Sequence, residues 1–307
     1  MDFVTTATLL IVGLVLLVWG ADRFIEASSK IAIQLGVSEL VIGLTLVAFG
    51  TSAPEVSVGV ASVINNNANI AAGTIIGSNI ANIGLIFGVT LFAFVGTKDK
   101  ATLPLVCFGL SVVLLFFALN DLKINLYESL GFLIILILFL YGLDNKDTEV
   151  QTSPNNFQSK EILFALISLV ALIAGAQLTV ENAEKLALSF GISETIIGLT
   201  IIAVGTSLPE LAASLAALYK QKGQMIIGNI LGSNVFNIVT VMPIIGFSLQ
   251  TNIDPQLLQK DIWYLFALTG IFIIVTLLQS KLSKTMLQLS GGLLVGIYCL
   301  YIFTTFV

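Results

Sequence analysis

Two glutamates sit where an apolar chain has least reason to keep them. Glu55 ends the stretch GLTLVAFGTSAPE (43–55), and Glu210 ends a near-copy, GLTIIAVGTSLPE (198–210). An ionised side chain at membrane depth costs about 2.5–3.5 kcal/mol even on the lenient insertion scale. Each acid therefore marks a place where a compensating charge is expected. Oxygen-bearing groups surround each one at helical spacing. Positions 48, 51, 52 and 55 share a helix face, as do 203, 206, 207 and 210. Pro54 and Pro209 have no backbone N–H, and each ring presses on the carbonyl four residues back, Gly50 or Gly205. The turn should kink there and free the carbonyls from Ala48 to Thr51, and from Ala203 to Thr206. Freed carbonyls at membrane depth are tolerated only where they line a cavity or meet a ligand. Hard cations are natural partners for them.

A second motif adds oxygens. In GTIIGSNIANI (73–83), Ser78 and Asn82 fall on one helix face, and Ser233 and Asn237 repeat this in GNILGSNVFNI (228–238). The combined set is carboxylates, hydroxyls, amides and carbonyls. It suits Ca²⁺ and Na⁺ and lacks the imidazole and thiolate ligands that zinc and copper prefer. The chain has no His at all, which also removes the usual proton shuttle. Two facing carboxylates give a site charge near −2. One Ca²⁺, or two or three Na⁺, would cancel it, so the two ion sets would exclude one another. That is what an antiporter needs.

The elements that must hold these groups are membrane helices. The 307 residues are 57% hydrophobic and 10% charged, against roughly a quarter charged in soluble domains. The fold class read from this is an all-α polytopic membrane protein. Hydropathy predicts ten spans, near 4–22, 38–65, 69–95, 102–120, 124–143, 160–180, 192–219, 225–249, 260–279 and 286–306. Ten of the 13 Lys and Arg fall in the odd-numbered connections: Arg23, Lys30, Lys98, Lys100, Lys146, Lys160, Lys220, Lys222, Lys281 and Lys284. The positive-inside rule then places those connections in the cytoplasm and both termini outside. The polar stretch 144–159 reads as a cytoplasmic linker between halves 1–143 and 160–307. No Lys or Arg precedes the first apolar run, so the first helix is expected to remain in the mature protein. The scattered basic residues suggest no nucleic-acid partner, and nothing suggests a cofactor or an obligate protein partner.

The halves repeat at an offset of 155. Thirteen of twenty positions match between 36–55 and 191–210, and the matches fall on Gly, Thr, Ser, Pro and Glu as well as on apolar residues. Glu26 and Lys30 fall on Glu181 and Lys185. Five spans per half is an odd number, so the second half must enter from the opposite face. This predicts two inverted five-helix repeats, the architecture of alternating-access transporters, with the site at the interrupted helices. Gly73/Gly77 and Gly228/Gly232 are small-xxx-small pairs suited to close helix approach. An inverted internal repeat disfavours a channel, which typically rings a pore by oligomeric symmetry. No nucleophile–base pair or cofactor motif suggests an enzyme.

Other polar residues read as structural. Glu26 and Lys30 have ion-pair spacing. Glu39 and Glu194 follow Ser38 and Ser193 at helix starts, where acids favour the dipole. The SSK stretch at 28–30 reads as a solvated face, Trp19 and Trp263 as interface anchors, and Cys107 and Cys299 as lipid-facing or packing residues.

The paired GTSAPE and GTSLPE, each followed by GSNIAN or GSNVFN, resemble the two α-repeats of the sodium/calcium exchanger family, in the compact prokaryotic form. The resemblance spans essentially the whole chain. It implies exchange of Na⁺ for Ca²⁺ across a prokaryotic cell membrane, three for one and so electrogenic. It further implies Ca²⁺ held by Glu55 and Glu210 with the carbonyls of Thr51 and Thr206. Na⁺ would lie at Ser52, Ser78, Ser207 and Ser233 with the carbonyls of Ala48 and Ala203, and Asn82 and Asn237 would form a central polar pair. The first and sixth helices would slide as a gating pair. Some relatives, including potassium-dependent ones, carry Asp where this chain has Asn237, which argues against K⁺ co-transport. Proton/calcium exchangers usually have a His-containing motif, so Na⁺ is the favoured counter-ion and H⁺/Ca²⁺ (or other divalent cation) exchange the alternative.

Overall fold

The structure, a computed structural model, describes residues 3–94, 96–97, 101–143, 159–191, 205–248, 253–255 and 257–306. Among the described residues there is no strand, and eight helices are long and apolar enough to cross a membrane. These are α1 (Phe3–Leu35), α2 (Glu39–Ile64), α3 (Ala68–Thr90), α4 (Thr102–Leu119), α6 (Ser159–Ser189), α8 (Gly223–Phe247), α9 (Gln259–Leu278) and α10 (Lys284–Thr305). Two shorter apolar helices are α5 (Leu126–Tyr141) and α7 (Leu208–Tyr219). Of the predicted span 192–219, the part 192–204 lies outside the described residues, as does the expected linker apart from Ser159.

The first span was expected to end near 22, yet α1 continues to Leu35. Its charged stretch carries ion pairs. Glu26 Oε2 lies 2.9 Å from Arg23 and Glu26 Oε1 2.9 Å from Lys30. Asp22 reaches Lys220 at 2.6 Å. The SSK stretch is solvated only at Lys30: Ser28 and Ser29 are buried, and Ser29 Oγ donates to Glu39 Oε1 at 3.0 Å. Lys222 meets the same carboxylate. Glu39 therefore does more than favour a helix start, where Ser38 is the cap and accepts from Val41 N. It ties α1 to the α7–α8 turn.

The helix ends carry the imprint of the 155-residue offset. Gly36 and Gly191 both have positive φ, 67° and 75°, and so do Asn66 and Gln221, at 58° and 57°. Asn67 N donates to Ser62 O and Lys222 N to Ala217 O, each at 2.8 Å. Both are the six-to-one bond of a Schellman helix end, which turns the chain sharply and satisfies a terminal carbonyl. Equivalent short turns thus join α2 to α3 and α7 to α8.

Close glycine contacts fix how the helices run. A Cβ on Gly20 would lie 2.5 Å from Leu172 N, and one on Gly175 would lie 2.3 Å from Leu17 N. Gly13 meets Thr179 in the same way, at 2.8 Å. Numbers rise along α1 as they fall along α6, so the two are antiparallel, and the Gly20–Leu172 and Leu17–Gly175 contacts exchange under the offset. Gly228 presses on Leu40 O and Gly232 on Leu44 O, both at 2.6 Å, so α2 and α8 run parallel. Gly73 and Gly77 touch no described atom within 4 Å.

Burial separates centre from periphery. In the most apolar windows of α3 and α8, 72% and 78% of residues are buried, against 22% in α1 and α10. The outer helices therefore offer apolar faces to lipid, while α2, α3 and α8 form the core that carries the polar motifs. Trp19 and Trp263 are exposed on this periphery, and Cys107 is buried.

Candidate functional site

On α2, the four predicted positions form one buried face. Ala48 and Thr51 are wholly buried and Ser52 and Glu55 nearly so, while Phe49 points outward. The helix is not interrupted at Pro54. Residues 48–64 are continuous α-helix with Pro54 inside, and the irregular turn lies upstream, as a π-helix at Gly43–Val47. A π turn inserts an extra residue per turn and is common at functional sites. It absorbs the misfit that a break at Pro54 would otherwise take. Pro54 still leaves the Gly50 carbonyl without its usual donor. Ala48 O is approached by Thr51 Oγ1 at 3.3 Å and Ser233 Oγ at 3.4 Å.

The second copy of the motif is built differently. Thr206 and Ser207 form a turn, and α7 starts at Leu208 with Pro209 in its first turn. Pro is well accommodated there, because its missing N–H would be unpaired anyway. Glu210 lies in the first turn of α7, at the end of the helix dipole that favours an anion. Thr51 is wholly buried, whereas its counterpart Thr206 is exposed. Ala203 lies outside the described residues.

A chain of polar contacts joins the two motifs. Ser52 Oγ donates to Glu210 Oε1 at 3.0 Å, which brings Glu210 against the α2 face that carries Glu55. Ser78 and Ser207 hydroxyls are 3.5 Å apart. Asn237 Nδ2 lies 3.4 Å from Ser78 Oγ and 3.3 Å from Asn79 Oδ1. Asn79 Nδ2 donates to Asn234 O at 3.1 Å. Thr51 Oγ1 sits within 3.3 Å of Val47 O, Ala48 O and Asn229 Oδ1, so one hydroxyl proton serves three acceptors.

Against this satisfied frame, certain atoms stand out. Both Glu55 oxygens, Glu210 Oε2, Asn237 Oδ1 and both side-chain atoms of Asn82 are buried and have no hydrogen-bond partner in the protein. No Lys or Arg is among the buried described residues. Buried polar atoms are nearly always paired, and an unpaired buried carboxylate is costly. This cluster of oxygens is chemically complete only with a cation or a proton at its centre.

Comparison with known proteins agrees with this chemistry. The profile of the sodium/calcium exchanger protein family matches residues 5–143 and 160–307. The chain belongs to the sodium/calcium exchanger family. A putative antiporter of Alkalimonas amylolytica, CaxA, is 36% identical over 290 residues, covering 89% of this chain and 90% of the relative. The sodium/calcium exchanger MaX1 of Methanosarcina acetivorans is 33% identical over 285 residues, covering 78% and 81%. A solved structure of the sodium-calcium exchanger NCX_Mj, soaked with Na⁺ and Sr²⁺, superposes with a TM-score of 0.83 at 28% identity, covering 97% of this chain and 98% of that one.

Within this family member, Ser52, Glu210, Thr51, the Ala48 carbonyl and Ser233 fall in one hydrogen-bonded cluster and Ser78, Ser207 and Asn237 in a second, with Glu55 on the same buried α2 face as the first. Asn82 is buried but makes no hydrogen bond, and Thr206 stands apart at the surface of a cleft. Three core amides escaped the sequence reading. Asn79 and Asn234 lie inside the GSN motifs but off the Ser-to-Asn spacing used there. Asn229, whose Nδ2 lies 3.0 Å from Ser214 Oγ and 3.4 Å from Glu210 O, has Thr74 as its counterpart in the repeat. A buried amide on one half alone is the signal that could have found it.

The Thr206 cleft has a volume of about 350 Å³, and Pro54, Val58, Gln177, Glu181, Thr206 and Pro209 are among its lining residues. At the opposite end, Phe24 and Leu169 lie over Gly50, at 3.1–3.2 Å from where its Cβ would be.

Proposed function

We infer that the chain is a secondary active antiporter that exchanges Na⁺ for Ca²⁺ by alternating access, electrogenically, in the cell membrane of a prokaryote. The observation that carries this is the pair of buried carboxylates, Glu55 and Glu210, three of whose four oxygens have no hydrogen-bond partner, with no Lys or Arg among the buried described residues. One Ca²⁺ neutralises the pair, and so do two or more Na⁺, which makes occupancy exclusive. Glu55 and Glu210 with Thr51 and Thr206 would hold Ca²⁺. Ser52, Ser78, Ser207 and Ser233 with the Ala48 and Ala203 carbonyls would hold Na⁺, and Asn82 and Asn237 would complete the centre.

In this reading the chain forms ten spans as two inverted five-helix repeats, 1–143 and 160–307, joined by a cytoplasmic linker, with both termini outside. The antiparallel α1 and α6, the parallel α2 and α8, and the matching turns at Gly36/Gly191 and Asn66/Gln221 support it. One-sided access is supported by the contrast between wholly buried Thr51 and exposed Thr206. With the Lys-rich turns inside, the Thr206 cleft faces out.

The test uses purified protein in sealed vesicles loaded with Na⁺ and diluted into Na⁺-free medium containing ⁴⁵Ca²⁺. Uptake should follow the Na⁺ gradient and respond to membrane potential. Equal uptake driven by a proton gradient alone would assign H⁺ as counter-ion and overturn the Na⁺ coupling. Calcium current with no counter-ion would overturn exchange itself.

A further inference from the structure

We propose that Glu181, with Gln177, forms a cation-collecting site in the Thr206 cleft, which Na⁺ and Ca²⁺ meet before the buried carboxylates. The inference rests on the exchange reading above. Gln177 and Glu181 are one turn apart on α6, and both are exposed. They line the same cleft as Thr206, Pro54 and Pro209. That cleft abuts both copies of the GTS-x-PE motif, and among the described residues Glu181 is the only charged one in its lining.

A glutamate near the end of a 31-residue helix reaches water in any case, so the comparison with its repeat counterpart matters. Glu26 is engaged by Arg23 and Lys30, both at 2.9 Å. Lys185 offers Glu181 the same i,i+4 partner, yet among the described residues Glu181 forms no ion pair. The duplicated acid–base pair is closed at one end of the molecule and open at the end where the cleft lies. An uncancelled carboxylate in a low-dielectric cleft focuses the field there and raises the local cation concentration. The carboxylate, the Gln177 amide oxygen and the Thr206 hydroxyl are hard ligands that would hold such ions weakly and in passing.

A unit charge roughly 10 Å from an ion's path in water changes local concentration about twofold for Na⁺ and about fourfold for Ca²⁺, because the energy doubles with the ion's charge. Exchange in oriented vesicles tests this, with ionic strength set by choline chloride. At about 0.01 M, where the Debye length of about 30 Å screens the interaction by roughly a quarter, Glu181→Gln should raise the KM for Ca²⁺ about threefold and for Na⁺ somewhat under about twofold. At about 1 M, where the Debye length is about 3 Å, the differences should vanish. They should appear only when ions are varied on the cleft side, with saturating rates retained. Glu181→Lys should raise KM further, and Glu181→Asp should restore the parent value. An unchanged KM in both the Gln and Lys variants, a salt-independent shift, or the same shift from both faces would overturn the inference while leaving exchange standing. Absence of exchange in the parent protein would overturn both.

Discussion

Adding one methyl group where α1 crosses α6 tests the packing on which the arrangement depends. In Gly175→Ala the new Cβ would lie 2.3 Å from Leu17 N and 2.8 Å from Leu17 Cα. In Gly20→Ala it would lie 2.5 Å from Leu172 N and 2.8 Å from Ser168 O. Every one of these neighbours is backbone, so no side chain can rotate aside and the helices must separate. Overpacking of this kind costs about 1–3 kcal/mol. At about 2–4 °C per kcal/mol, the scale for domains of 150–250 residues, that is a loss of roughly 2–12 °C in Tm. Helix propensity acts the other way, since Ala is favoured over Gly by about 1 kcal/mol. Gly270→Ala and Gly296→Ala isolate that term, because a Cβ at either meets no described atom within 4 Å. The assay is thermal unfolding of the four variants in one detergent. The crossing-site variants should melt below the parent and the two controls at or above it. The double variant should lose less than the sum of its parts, because helices already forced apart accept the second methyl more easily. Gly175→Ala as stable as Gly296→Ala would refute the close antiparallel crossing.

Other consequences concern the core. Glu55→Gln and Glu210→Gln should abolish exchange while the protein still folds, and each should melt higher than the parent in ion-free buffer because a buried unpaired charge is gone; melting curves and ⁴⁵Ca²⁺ flux check both. Acidification should weaken apparent Ca²⁺ affinity, since Ca²⁺ needs both carboxylates ionised and competes with protons for them; a pH series of Ca²⁺ binding reads this directly. Asn237→Asp adds a third carboxylate beside Ser78 and Asn79 and should alter the Na⁺ and Ca²⁺ dependence of flux, whereas an unchanged profile would make that position peripheral. Asn229→Ala removes a partner of Thr51 and Ser214 and should lower Ca²⁺ affinity, measured by titration, with Glu55 and Glu210 intact.

The chemistry of the site was more legible than its asymmetry. Glu55 and Glu210 announced themselves because an acid in an apolar run has few innocent explanations, and the repeat doubled the signal. The buried face of Ala48, Thr51, Ser52 and Glu55 followed from helical spacing alone. Near-identical motifs, however, adopt unlike backbones. GTSAPE stays helical behind a π turn, whereas GTSLPE breaks at Thr206–Ser207. Within the six motif residues the copies differ only at Ala53 and Leu208, so the motif alone does not announce the difference. The burial of Ser29 was hidden for a similar reason. A polar stretch reads as solvated unless the distant acceptor, here Glu39, is known. The extension of α1 beyond its apolar run likewise meets distant partners, including Lys220 on a turn almost two hundred residues away.

The central claim is that Glu55 and Glu210 form one site that holds Ca²⁺ or Na⁺ but not both. Equilibrium binding of ⁴⁵Ca²⁺ to the purified protein, titrated with Na⁺, measures this most directly. One Ca²⁺ should bind per chain, Na⁺ should displace it completely, and Glu55→Gln or Glu210→Gln should abolish the binding. Calcium that stays bound at saturating Na⁺, or that binds undiminished when both glutamates are replaced, would contradict the account.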